Sequence, residues 1–362
     1  MSVQPVPKSS WIFPALAVAF VAATTALSLS FTPSVSGLMF AAVLLVILFG
    51  TVFAAVHHAE VIAHKIGEPY GTLLLTLSVI IIEVAVIATI MIGDKSAPTL
   101  ARDTVFAVVM IVCNGLVGLC ILAGGLRYTE QEFQVSGAKV YLSVLIVLST
   151  ITLILPNYTL TTPGPLYSAL QLAFVSVVTM ILYGLFLYTQ TVLHRDYFIN
   201  DGAEDDDGHP PAHSITMNGV LLVVSLVAVV LLAKSFSVVV DAGGAAIGAP
   251  PAFTGIVVAL LVLLPESVAA ISAARHNKLQ KSINLSLGSA LATISLTIPA
   301  VALAAYLLGK PLLLGLPQSE MVLLIMTFAI SMLTFATGVT NILFGMVHML
   351  VFAVFLLTVF AP

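Results

Sequence analysis

Eleven apolar runs, each close to the length needed to cross a bilayer, take up most of this 362-residue chain. They cover 11–31, 36–64, 70–93, 102–125, 138–155, 167–193, 216–240, 252–274, 282–308, 320–337 and 341–361, and charge, glycine or proline separates them. A helix rises about 1.5 Å per residue, so about 20 apolar residues cross a hydrocarbon core about 30 Å thick. The expected fold class is therefore an all-α polytopic membrane protein of about eleven transmembrane helices. Composition agrees: 60% of residues are hydrophobic and 8% charged, against about 25% charged in soluble domains. Little remains from which to build a soluble domain, and no basic cluster points to nucleic acid. The partner this chain requires is the lipid bilayer. Cys113 and Cys120 lie seven residues apart within one run, on one helix face, so they suggest no disulfide framework. Lys8 precedes a first run longer than a signal-peptide core, and no Ala-x-Ala site follows it, so that run reads as a retained span.

Loop charges orient the spans. With the N-terminus in the cytoplasm, Lys8, Lys65, Arg127, Lys139, Arg195, Arg275, Lys278 and Lys281 fall on the cytoplasmic side. Lys95, Arg102, Lys234 and Lys310 fall on the other. Eight against four favours a cytoplasmic N-terminus and a C-terminus on the opposite side.

Of sixteen acidic residues only two sit in the middle of a span. Glu83 follows Gly71 by twelve residues, and Glu266 follows Gly255 by eleven. An ionised carboxylate is costly near the bilayer midplane, so such a residue reads as an ion or proton site. The two positions also match. With the first span set aside, ten remain in two sets of five, and each glutamate lies in the second span of its set. An odd number of spans per set makes the halves insert with opposite orientation, which is the inverted-repeat plan of many secondary transporters. The chain then divides into an extra N-terminal helix (1–34), a first five-helix repeat (35–193), an acidic cytoplasmic linker (194–215) and a second five-helix repeat (216–362).

Other residues could contribute chemistry. Pro265, just before Glu266, removes a backbone N–H and frees the carbonyl of Leu261, an oxygen suited to a hard cation. A simple kink explains the proline equally well. Ser282, Ser286, Ser289, Thr293 and Thr297 form a hydroxyl stripe along one helix face. Such a stripe either supplies neutral ligands or lets helices approach closely. Within these spans Asn114 and Ser289 are read as ligands. His57, Glu60 and His64 share a face and, with His58, could bind a metal, or relay protons to the cytoplasmic mouth or gate it; an ordinary polar interfacial face is the simpler reading. Their spacing is not that of a zinc protease helix. The run Glu204, Asp205, Asp206 and Asp207 could sense cytoplasmic cations, but it lacks EF-hand spacing and reads first as solvated linker.

At these residues the chain resembles the calcium/cation antiporter superfamily, and within it the bacterial ChaA-type calcium/proton antiporters. The likeness is carried by GEPYGTLLLTLSVIIIEVAVI around Glu83 and by TGIVVALLVLLPESVAAISAARHNKLQKSINLSLGSALATISLTIPAV around Glu266. These stretches resemble the family's two α-repeats. The resemblance implies ten core helices in two inverted halves. It implies that Glu83 and Glu266 are the central ion-binding carboxylates, that Asn114 matches the family's Asn, and that Gly288-Ser289 matches its Gly-Ser. There are departures. Val79-Ile80 and Val262-Leu263 stand where many members carry Gly-Asn, and Ala292, beside Thr293, replaces the family's glutamine.

The function so implied is secondary active antiport, with cytoplasmic calcium leaving as protons enter across a bacterial inner membrane. No enzyme step and no cofactor are expected; the transported ions are calcium, or sodium or potassium, and protons. A sodium or potassium/proton antiporter uses the same residues. A cation channel or an intramembrane enzyme fits less well, because two internal carboxylates in opposed halves suit an occluding site and no aspartate or zinc motif lies mid-span. Replacing Glu204, Asp205, Asp206 and Asp207 with Ser or Asn should leave maximal exchange nearly intact, since the run lies outside every span. A collapse in rate, or a large shift in calcium activation measured in vesicles, would make the run a sensor.

Overall fold

The computed structural model describes residues 8–27, 31–32, 34–67, 70–92, 98–198 and 215–361. Eleven helical spans carry the chain: α1 (Ser9–Ala26), α2 (Val35–Ile66), α3 (Tyr70–Ile92), α4 (Leu100–Tyr128), α5 (Val135–Tyr158), α6 (Ala169–Leu193), α7 (Ile215–Ala246), α8 (Ala252–Arg275), α9 (Leu279–Leu308), α10 (Gln318–Thr334) and α11 (Ile342–Phe360). Each answers to one apolar run of the sequence, so the all-α polytopic expectation holds. Ten of them are long and apolar enough to cross a membrane, and α10 is shorter, at 17 residues. The protein is an integral membrane protein. Helices outrun the hydropathy that announces them. α7 continues through Asp241 to Ala246, and α2 keeps its polar end helical through His64 and Lys65. At about 1.5 Å per residue, their 32 residues each exceed a hydrocarbon core of about 30 Å.

Local signals start several of these helices. The Ser34 hydroxyl accepts from the Gly37 amide at 3.2 Å and caps α2. Ser168 and Gln171 form a reciprocal capping box at the start of α6. Asn341 accepts from Leu343 N at 3.0 Å to begin α11. One departure from all-helical structure appears: β1 (Glu130–Glu132) pairs antiparallel with β2 (Val339–Asn341). Three-residue strands carry no periodicity that a sequence reading can detect.

The helices gather into two compact units, each built from two separate stretches of the chain. The first holds α1, α2, α3 and α7. Here α2 packs along α7, α1 and α3. A methyl group on Gly71 would sit 2.4 Å from the Ala63 carbonyl oxygen, so only glycine lets the first turn of α3 lie this close to α2. The second unit holds the other seven helices and the β-ribbon. In it α4 is the most enclosed span, and it packs on α8 and α11. Gly255 of α8 lies against the α4 backbone, where a Cβ would come within 2.9 Å of Asp103 C and Thr104 N. Gly118 and Gly345 allow the same close approach between α4 and α11.

Apolar side chains on the outside complete the pattern. Leu170, Phe174, Leu303 and Leu350 are exposed, as lipid-facing residues are. The segment that leads out of α6 is fastened inside the second unit. Phe198 packs edge-on against Tyr141, and Asn284 Nδ2 donates to the Phe198 carbonyl at 2.6 Å. The acidic run that follows, Glu204 to Asp207, and most of the 194–215 linker lie outside the described residues.

Candidate ion-binding site

Glu83 lies in α3 of the first unit and is fully buried, at 0% exposure. Val79, Ile80, Ile82, Val86 and Ile87 of the same helix are buried beside it. The hydroxyl of Ser78 donates to its own helix at Leu74 O, 2.8 Å away. This is the setting the sequence predicts: one carboxylate in an apolar helix.

The remaining proposed ligands belong to the second unit. Glu266 is half-buried, midway along α8. The helix runs unbroken through Pro265, whose ring nitrogen has no hydrogen to give the buried Leu261 carbonyl. Asn114, at 0% exposure, sits in a π-helical segment of α4, Ile111–Leu116. Thr293 is buried and opens another π-helical segment, Thr293–Thr297, in α9. Ser289 is half-buried one turn before it. A π-bulge is rare and frequently sits at a functional site. Two further π segments, Thr150–Ile154 and Thr189–Leu193, hold none of the proposed ligands, so the bulge alone is not diagnostic.

Within the hydroxyl stripe, Ser282, Ser286 and Thr297 are buried. Ser286 gives its hydrogen to Ser282 O at 2.8 Å, which satisfies the hydroxyl within its own helix.

The structure adds a network that sequence reasoning missed. Asn114 Nδ2 donates to Thr327 Oγ1 of α10 at 2.9 Å. Asn114 Oδ1 lies 3.3 Å from His348 Nδ1 of α11, and His348 Nε2 lies 2.9 Å from Thr334 Oγ1. All four side chains are fully buried. The one available signal was a second polar side chain in mid-span: His348 is the histidine of the final apolar run. A second unforeseen cluster stands where α4 begins. Arg102 bridges to Asp103 at 2.7 Å and donates to Gly315 O at 3.1 Å, while Thr99 donates to Asp103 at 2.8 Å. It fastens the loop before α10 to α4.

The histidine group of α2 divides by environment. His58 is fully buried, its Nδ1 2.8 Å from Asn218 Oδ1 of α7 and its Nε2 2.9 Å from Ser10 O of α1. It ties three helices of the first unit together. His57 is half-buried, with its ring edge-on to His58 at 5.6 Å, while Glu60 and His64 are exposed. Among the described residues no group of three or more His, Cys, Asp or Glu is arranged to hold a metal ion.

One family profile, the sodium/calcium exchanger protein family, matches twice, over residues 36–192 and again over 217–361. The chain belongs to the sodium/calcium exchanger family. Its two matched segments bracket α2–α6 and α7–α11 and leave α1 outside. Among relatives of this exchanger, the Sinorhizobium fredii protein y4hA, assigned by name to ionic transport, is 45% identical over 357 residues, covering 97% of this chain and 96% of its own. The Escherichia coli sodium-potassium/proton antiporter ChaA is 40% identical over 320 residues, 87% of each chain. Among solved structures, native YfkE superposes with a TM-score of 0.74 at 16% identity, covering 98% of this chain and all of its own, 100%. The H+/Ca2+ exchanger CAX gives a TM-score of 0.69 at 16% identity, over 97% of this chain and 89% of that one. At those identities the likeness is one of fold.

The different settings of the histidines yield a prediction. His58→Phe should destabilise the protein by about 1–3 kcal/mol, because Asn218 and the Ser10 carbonyl lose their buried partner. His64→Gln, at an exposed position, should leave stability unchanged. Thermal unfolding of the purified variants in detergent checks both. An unaltered midpoint in His58→Phe would remove its structural role.

Proposed function

We propose that this cation/proton antiporter exports cytoplasmic calcium in exchange for protons by alternating access, with Glu83 and Glu266 as the groups for which the two ions compete. The observation that carries the reading is the placement of these carboxylates. Each lies in mid-span in the second helix of one of the two segments that match the exchanger family. Burial disfavours a charged carboxylate, and a divalent cation reverses that preference and displaces the protons. One Ca²⁺ exchanged for two protons keeps the charge of the pair constant. That balance favours a divalent ion where two carboxylates act together.

Asn114, Ser289, Thr293 and the Leu261 carbonyl are proposed as neutral oxygen donors. Calcium takes about six to eight oxygens, more than two carboxylates supply. The double match supports reading 35–193 and 216–362 as inverted repeats of five helices each, with 1–34 as an added helix. A cytoplasmic N-terminus in a bacterial inner membrane follows from the distribution of Lys and Arg.

A second reading has an observation of its own. The Escherichia coli relative at 40% identity is named for sodium, potassium and protons. The same carboxylates would then serve monovalent ions. Flux in inverted vesicles under an imposed proton gradient, with calcium, sodium and potassium supplied in turn, separates the two readings. Glu83→Gln and Glu266→Gln should each abolish cation-driven proton movement while the protein still inserts. Normal exchange at saturating cation would exclude that residue from the site.

Competition also sets the pH dependence. Lowering the pH on the cation-loading side should raise the apparent Michaelis constant for the cation, and saturating cation should largely restore the rate. Where the pair is protonated, two departing protons give up to about a hundredfold per pH unit and one gives about tenfold. The control changes His57 and His64 to Gln and spares His58, which ties α1, α2 and α7 together. If the pH dependence of affinity disappears in that variant, the effect belongs to the histidines and the competition reading fails.

A further inference from the structure

We propose that His348 is a positioning residue: its Nδ1–H holds the Asn114 amide in one of its two orientations, with the oxygen turned toward α11. The argument begins at a hydroxyl on another helix. Thr327 Oγ1 lies 2.8 Å from the Leu323 carbonyl of its own helix, which can only accept. A threonine hydroxyl has one hydrogen. Leu323 O is nearer than the other acceptor in reach, the Met110 sulfur at 3.5 Å, so the hydrogen goes to Leu323, and toward Asn114, 2.9 Å away, Thr327 Oγ1 is an acceptor. Asn114 must therefore present its Nδ2 there, and its Oδ1 turns to His348 Nδ1 at 3.3 Å. Two acceptors cannot bond each other, so Nδ1 carries the imidazole hydrogen. In the neutral ring Nε2 is then an acceptor, and the Thr334 hydroxyl at 2.9 Å donates to it. The Leu323 carbonyl thus sets the direction of the bonds from Thr327 through Asn114 to His348, whose ring also meets the Cys113 backbone, and on to Thr334.

The network is buried: Asn114, Thr327, Thr334 and His348 are all at 0% exposure. Gly118 and Gly345 bring the two helices into contact, and a Cβ on Gly118 would stand 3.1 Å from His348 Cβ. The imidazole is confined to this side of α4. A carbonyl oxygen has two lone pairs, and His348 engages one, which leaves the other in a fixed direction. This inference rests on the reading of Asn114 Oδ1 as a cation ligand. On that reading His348 determines whether the ion meets an oxygen or an N–H at Asn114.

Two substitutions separate this role from mere packing. The side-chain nitrogen of an asparagine falls near the Nδ1 of the histidine it replaces, whereas that of a glutamine reaches the Nε2 position. His348→Asn should therefore keep the donor to Asn114, and His348→Gln should lose it while still reaching Thr334. Cation-driven proton release from vesicles, with calcium, sodium or potassium added singly, should show KM raised about three- to tenfold in His348→Gln, the worth of one hydrogen bond. In His348→Asn, KM should stay near that of the native protein, and maximal rates should change little in either variant. Equal KM values in the two variants, or loss of rate without change in KM, would overturn the proposal. Thr327→Val provides the same test from the other end: it removes the acceptor that fixes the direction of the bonds, so KM should rise, and an unchanged KM counts against the proposal even if neither histidine variant folds. Nitrogen NMR of histidine-labelled protein reads the tautomer directly, and a hydrogen on Nε2 rather than Nδ1 would refute it. Asn114→Ala keeps the two levels apart. If it raises KM while the histidine pair shows no difference, only the positioning role fails; if it leaves KM unchanged, the ligand reading of Asn114 fails as well.

Discussion

Hydrocarbon offers no hydrogen bonds, so every polar group in a span of this protein must find its partner in the protein itself. Helices satisfy the backbone. The same requirement explains where the side-chain hydroxyls point. Thr51 donates to Ile47 O, Ser78 to Leu74 O, Thr152 to Leu148 O, Ser225 to Leu221 O and Ser295 to Leu291 O, each four residues back and each within 2.6–2.8 Å. A hydroxyl bonded in this way requires nothing from its neighbours. It leaves the helix surface small, and neighbouring helices can pack on it closely. The fully buried asparagines and histidines reach other helices instead. Asn114, His348, His58 and Asn218 therefore pair between helices, and each pair fixes the rotation of the helices that carry it.

Several of the proposed ligands lie where helical regularity is disturbed. A π-bulge inserts a residue and shifts the face that follows, and a proline leaves one carbonyl without its donor. Asn114 and Thr293 lie in π segments, and Glu266 follows Pro265. Such irregularity in a membrane is tolerated where protein or a polar cavity surrounds it. The Asn114 segment meets that condition: every residue from Ile111 to Leu116 is buried. Close glycine packing is what permits the enclosure, because Gly118 and Gly345 bring α11 against α4 and Gly255 brings α8 against its start.

What could be read in the sequence divides along the same line. The eleven spans were legible because a run of about 20 apolar residues has one physical explanation. Glu83 and Glu266 were legible because a charge in mid-span has few. The pairing of β1 with β2 was not, since Glu130–Glu132 and Val339–Asn341 are short and more than 200 residues apart. Nor were the π segments, because a single inserted residue barely disturbs an apolar periodicity. His58 shows the limit of reasoning from one helix. It was grouped with the polar face formed by His57, Glu60 and His64, yet its partners, Ser10 and Asn218, stand on two other helices. The link from Asn114 to His348 spans 234 residues, a connection that only the packed fold makes.

The departures from the family's pattern now acquire a physical consequence. Where many relatives carry Gly-Asn before each glutamate, this chain has Val79-Ile80 and Val262-Leu263, and all four are buried aliphatic residues with no oxygen in the side chain to offer. Ala292 likewise brings a methyl group in place of an amide. The neutral donors that remain among the proposed ligands are two hydroxyls, a backbone carbonyl and one amide. An amide oxygen is a stronger acceptor than a hydroxyl, and it is useful to a cation only when its oxygen, not its nitrogen, faces the ion. With several amides, one misdirected group costs little. With Asn114 alone, the orientation of a single χ2 torsion decides whether an amide oxygen is present at all. Among the proposed ligands Asn114 is the one side-chain amide, and buried partners, Thr327 and His348, stand at both ends of it.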